Sequence, residues 1–78
     1  MEIMYSRDEL VTKRITDWLA DGQSKYVCLS KLMTLAKESA GTVQRVLGHM
    51  ESQKEVEIKG SYLEANFENY FEIRKLCP

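Results

Sequence analysis

The sequence predicts an α+β domain of three helices and a small antiparallel sheet, and three observations carry that prediction. Val43, Val46, Leu47 and Met50 recur at i, i+3, i+4 and i+7, which puts them on one face of a helix. Ser6-Arg7-Asp8-Glu9 is an S-x-x-E capping box that opens another helix. Glu55–Lys59 and Tyr70–Lys75 alternate polar with apolar residues, the period of a half-buried strand. Helices are therefore expected over about 7–20, 30–37 and 40–53, and strands over about 55–59 and 70–75, in one domain spanning 1–78.

The first helix starts at Ser6, with Tyr5 and Leu10 at the two positions of a hydrophobic staple and Asp8 and Glu9 where the helix dipole favours negative charge. Leu10 or Val11, then Ile15, Trp18 and Leu19, form its buried stripe, with Trp18 as the core anchor, and Asp21-Gly22 ends it. Lys25–Cys28 reads as a short extended piece with Tyr26 and Cys28 on one face and Val27 on the other. Leu29, Leu32, Met33 and Ala36 then make an apolar helix face, followed by a turn at Lys37–Ser39. Ser39 stands where a hydroxyl accepts from a first-turn N–H of the third helix. Two short amphipathic helices joined so tightly bury their faces by crossing steeply, the helix-turn-helix arrangement. Phe71 and Ile73 share one face of the last strand, and the ten residues Gly60–Asn69 between the strands are too long for a tight hairpin.

TVQRVLGHMES followed by EVEIKG resembles the recognition helix and first wing strand of a winged helix-turn-helix domain, and the resemblance spans Val11 to Lys75. It implies that Lys25–Cys28 is a minimal first strand, that Cys28 or Ser30 caps the second helix, and that Gly60–Asn69 is an extended wing. Family members usually place an acidic residue three positions after that cap; here Lys31 follows Cys28. Winged helices mostly bind DNA with the second helix of the pair in the major groove, and a sizeable minority bind proteins. Stand-alone domains of this length are similar to small bacterial operon regulators and to phage or plasmid regulators.

Composition limits the function classes. The hydrophobic fraction of 44% and charged fraction of 29% are ordinary for a globular chain, and one proline with four glycines argues against a linker-rich one. MEIMYSR has neither a basic start nor an apolar core segment, and no run approaches the roughly 20 apolar residues that span a bilayer, so a cytoplasmic protein with no membrane association is expected. Net charge is −1 from 11 basic and 12 acidic residues, with Lys and Arg dispersed along the chain rather than gathered in one run. Cys28 and Cys77 form no C-x-x-C motif; free thiols are expected unless the two meet in space. A phosphate-binding Gly-rich loop, H-E-x-x-H and a nucleophile with an assembled base are all missing, so neither an enzyme nor a cofactor is expected.

With the apolar stripe facing inward, the third helix turns Gly41, Gln44, Arg45, Gly48 and His49 outward. Gln44 suits adenine and Arg45 suits guanine or phosphate, since each makes paired hydrogen bonds to a base edge. Ser39 and Thr42 at the helix start suit a phosphate, Lys37, Lys59 and Arg74 the backbone, and His49 a surface or phosphate contact rather than a metal. The plain alternative is that these are solvated surface. Gly41 and Gly48, seven apart, leave room for a close-approaching backbone, or else belong to the turn and are tolerated. Tyr62, Leu63 and Phe67 are read as a fold-back onto the body, or as an apolar patch for a protein partner, and Glu64, Glu68 and Glu72 as a solvated face.

Two readings follow. In the first the chain is a sequence-specific transcriptional regulator binding double-stranded DNA as a homodimer, paired through the first helix or the MEIMY arm. In the second it is a protein-interaction winged helix that modulates a larger complex. Charge geometry discriminates them: Lys31, Lys37, Arg45 and Lys59 converging on the side of the third helix favour DNA, and the glutamates of the wing sharing that side favour protein.

Overall fold

A computed structural model describes residues 6–19, 23–62 and 68–76. Its elements run α1 (Arg7–Trp18), β1 (Ser24–Cys28), α2 (Leu29–Ala36), α3 (Ala40–Ser52), β2 (Val56–Lys59) and β3 (Tyr70–Lys75). The strands form one antiparallel sheet in the order β1-β3-β2. The fold is α+β, and this order of elements and strands is compatible with a winged-helix layout.

The capping box at Ser6 forms: its hydroxyl accepts from the Glu9 N–H at 3.2 Å and donates to the Glu9 carboxylate at 3.2 Å. Val11 and Ile15 are the buried stripe of α1. The helix ends at Trp18, two residues short of the expected limit. Leu19 departs in extended backbone (φ −84°, ψ 132°), its N–H still bonded to Ile15 O, and drops its side chain into the core. Leu19 thus takes the interior place expected of Trp18. Trp18 lies at the margin of the core, half-buried, with the Lys25 ammonium 4.5 Å above its ring and donating to its carbonyl at 2.8 Å. Tyr5 and Asp21-Gly22 lie outside the described residues.

In β1 Val27 faces the core opposite Phe71, and Tyr26 and Cys28 share the other face opposite Glu72 and Tyr70, as expected; Tyr26 stays exposed, whereas Cys28 is buried where the chain enters α2. Cys28 occupies the N-cap position of α2 without a side-chain bond, and Ser30 lies inside the helix. The helix therefore begins one residue early. It closes on Lys37 in the left-handed region (φ 58°, ψ 43°), whose N–H bonds Met33 O, an αL-type end that carries the chain sharply into α3. Arg14 of α1 donates to Ala36 O at 2.6 Å, where a carbonyl at a helix C-terminus favours a cation.

One core joins the layers: Val11, Ile15 and Leu19, then Leu29, Leu32 and Ala36, then Val43, Val46, Leu47 and Met50, closed by Val27, Val56, Phe71 and Ile73 from the sheet. The β2 and β3 alternation is realised, with Ile58 opposite Ile73 and Phe71 opposite Val27 on the inner face. Tyr26, Glu72, Arg74, Glu57 and Lys59 share the outer face through the pairs Tyr26–Glu72, Glu57–Arg74 and Lys59–Glu72. Glu55 falls just outside β2, its carbonyl accepting from the Leu76 N–H at 3.0 Å, and Gln53 caps α3 rather than extending it. No buried side-chain polar atom lacks a hydrogen-bond partner among the described residues.

Candidate functional site

The outward side of α3 is where the expected contact residues gather, and the structure sorts them. Gly41, Arg45 and His49 are exposed or partly exposed on this side, while Gln44 and Gly48 are half-covered. Thr42 is 7% exposed, because it lies four residues before Val46 on the buried side of the helix. Its hydroxyl meets the Ser39 hydroxyl at 3.3 Å. Ser39 holds the N-cap position with extended backbone, yet its side chain makes this bond instead of accepting from a first-turn N–H. The expected phosphate contact at Thr42 and the expected cap bond at Ser39 are therefore both corrected.

Arg45 is held from α1. Its Nε donates to Asp8 Oδ2 at 3.0 Å and its Nη2 to Asp8 Oδ1 at 2.6 Å, a two-bond fork between residues 37 apart in sequence. The hydrogen bond from Arg45 holds the Asp8 carboxyl below its ordinary range, and the same bond pushes the guanidinium further up. Both side chains are open to water, 47% exposed for Asp8 and 62% for Arg45. Arg45 and His49 line a cleft of about 490 Å³ together with Asp8, Glu9, Thr12 and Glu55, so three carboxylates surround them.

The other flank of α3 is covered by the residues after β2. Gln44 Nε2 donates to Tyr62 O at 3.0 Å, and the Tyr62 hydroxyl donates to Glu51. Between these two bonds the Tyr62 side chain lies over Gly48: a Cβ there would sit 3.6 Å from the Tyr62 oxygen. The Tyr62 ring also tilts against Phe71 at 5.9 Å. Burial and the Glu51 carboxylate push the Tyr62 phenol up to about 12. Of the two readings of Tyr62, the fold-back is the one observed. Leu63, Glu64 and Phe67 lie outside the described residues. The approach to Gly60 explains why glycine is needed there: φ is +111° and a Cβ would meet Phe71 Cβ at 3.0 Å.

The remaining basic candidates lie elsewhere. Lys37 lines a shallow hollow with Arg7, Ser30 and Ser39 between α1, α2 and the start of α3, where Arg7 pairs with Glu38 at 3.6 Å. Lys59 and Arg74 are on the outer face of the sheet, each opposite a glutamate. The structure thus sets Arg45 and His49 together on one flank of α3 and Gln44 on the other, places Lys37 and Ser39 at the α3 start, and separates Lys59.

Two residues of this site go beyond what the sequence indicates. Asp8 reads there as a helix-dipole charge alone, and Glu51 carries no role. Nothing local in the sequence joins position 8 to 45, whereas the glycine at 48, between Gln44 and Glu51, is a signal for something large lying on that stripe. Cys28 is a buried free thiol, and Cys77 lies outside the described residues. Among the described residues no group of three His, Cys, Asp or Glu side chains could hold a metal, and no helix is long and apolar enough to cross a membrane. Compared with protein families, curated proteins and solved structures, the chain matches none.

Proposed function

We propose that the chain is a sequence-specific DNA-binding transcriptional regulator that presents α3 to the major groove. The observation that carries this reading is the α2–turn–α3 unit set on a three-stranded sheet, with Gly41 and Arg45 of α3 open to solvent and His49 beside them. A helix of 13 residues is about 20 Å long, and the open glycine at 41, where a Cβ would meet nothing within 4 Å, lets the start of its backbone lie close to base edges. The Arg45 side chain is 62% exposed even while paired with Asp8, so its guanidinium is open to a partner approaching from solvent. Lys37 and Ser39, at the start of α3, suit phosphate contacts. A single small domain supplies few such contacts, so the working unit is a homodimer whose two α3 helices read half-sites about 34 Å apart.

Amide chemical shifts followed by NMR during titration with duplex DNA test this. Gly41, Arg45 and His49 are expected to move first, and Arg45→Ala to weaken binding by roughly tenfold. Shifts confined to the outer sheet face around Tyr26 and Tyr70 would contradict it.

The second reading, a protein-docking winged helix without DNA affinity, is favoured by one specific observation. Asp8, Glu9 and Glu55 line the cleft beside Arg45, and Glu51 borders the other flank of α3, a surround that repels phosphate. On that reading the same titration leaves every amide in place.

A further inference from the structure

The fork between Asp8 and Arg45 uses one particular edge of the guanidinium. Asp8 takes the side edge, Nε and Nη2. Nη1, at the end edge, has no hydrogen-bond partner among the described residues. A guanidinium has five N–H donors in a fixed plane, so an occupied side edge leaves the end edge, Nη1 with the second N–H of Nη2, able to form another pair of bonds. That pair matches guanine O6 and N7. A phosphate offers the same number of acceptors, but carries its negative charge to within a few ångströms of the Asp8 carboxylate, whereas a guanine edge is neutral.

We propose that Asp8 is a specificity-determining positioning residue, which holds Arg45 by its side edge so that the end edge reads guanine instead of gripping phosphate. The proposal rests on the DNA-binding reading and adds to it a base and a residue that selects it. Asp8 is well placed for this: it stands on a capped first turn of α1, packed through Val11 and Ile15 into the core that also holds α3, so the helices that carry carboxylate and guanidinium are tied to one core. The arrangement trades affinity for selectivity. An acid beside the reading residue lowers attraction to any duplex, and gains discrimination between a base edge and backbone.

The experiment is selection of bound sites from a random-sequence duplex pool by the full chain, followed by sequencing, for wild type, Asp8→Asn, Asp8→Glu and Arg45→Ala, with pool affinity measured by anisotropy. Wild type is expected to enrich guanine at one position per half-site, and Arg45→Ala to lose that enrichment. Asp8→Asn is expected to bind the pool at least about twofold tighter, with a steeper salt dependence, while its guanine preference falls at least about threefold. Asp8→Glu, which keeps the charge, is expected to retain the preference. A loss of folding or stability would lower pool affinity, so tighter binding with poorer selection is a signature that a merely structural role does not produce. Asp8→Asn retaining the full guanine preference, or a wild type with no guanine enrichment that depends on Arg45, would overturn the proposal while leaving DNA binding intact. Failure of wild type and Asp8→Asn alike to bind the pool at low salt would overturn both.

Discussion

Single residues give the sharpest contrasts, and two glycines illustrate why. Gly41 sits in the first turn of α3, where an added Cβ would meet nothing within 4 Å, so Gly41→Ala removes unfolded-state freedom at no steric cost and is expected to stabilise by about 0.5–1 kcal/mol. Gly60, at φ +111° and hard against Phe71, offers an alanine neither a relaxed backbone nor the space, and Gly60→Ala is expected to destabilise by roughly 1–3 kcal/mol. Urea denaturation of both variants checks the pair, and equal effects would mean that the Phe71 contact is unimportant. Tyr62 supplies a spectroscopic test. Its phenol is raised from the ordinary 10.0 to about 12, so its protonated form is favoured by folding. That contribution is fully present below about pH 10 and is lost as pH rises through about 12. An absorbance titration is expected to show one tyrosine ionising near pH 12 in the folded chain, and Tyr62→Phe to abolish that step; a step near pH 12 that survives the substitution, with the lost tyrosine taken from those ionising near 10, would contradict a buried Tyr62 phenol beside Glu51.

At the scale of elements, local rules and distant contacts part company. The α3 stripe, the Ser6 cap and the β2 and β3 alternation were legible because each depends on neighbours within one or two turns or one pleat. The end of α1 was not, because the core draws Leu19 out of the helix two residues before the expected stop. Cys28 keeps the expected place in β1 opposite Tyr70, but its burial was not legible, because α2 starts at the next residue. Part of the candidate site was legible too. Arg45 and His49 are on the expected face, and the fold-back of Tyr62 follows from the aromatic residue after Lys59. What the sequence left hidden is which neighbours hold these groups. Asp8 reaches Arg45 across 37 positions, and Gln44 reaches Tyr62 across 18, distances at which only the packed fold decides the partner. Thr42 belongs here as well: a hydroxyl at a helix start suggests a ligand, but its place one turn before Val46 turns it inward.

Across the whole molecule, one small core holds three helices against a three-stranded sheet, and charge is spread along the chain rather than gathered in a basic run. A chain with a net charge of −1 that binds DNA must rely on a few well-placed cations at low total affinity, and pairing of two copies multiplies those contacts. The α+β architecture is compatible with that role and equally with docking on a protein, so architecture alone does not choose between them. The choice falls to phosphate contact, which leaves a direct thermodynamic trace. The decisive measurement is fluorescence anisotropy of a mixed-sequence duplex titrated with the full chain at a series of salt concentrations. Binding at low salt whose logarithm falls linearly with the logarithm of salt, with a slope of several counterions per homodimer, is the expected result. A flat anisotropy at the lowest salt would contradict the DNA-binding claim and leave the acid-bordered face of α3 to a protein partner.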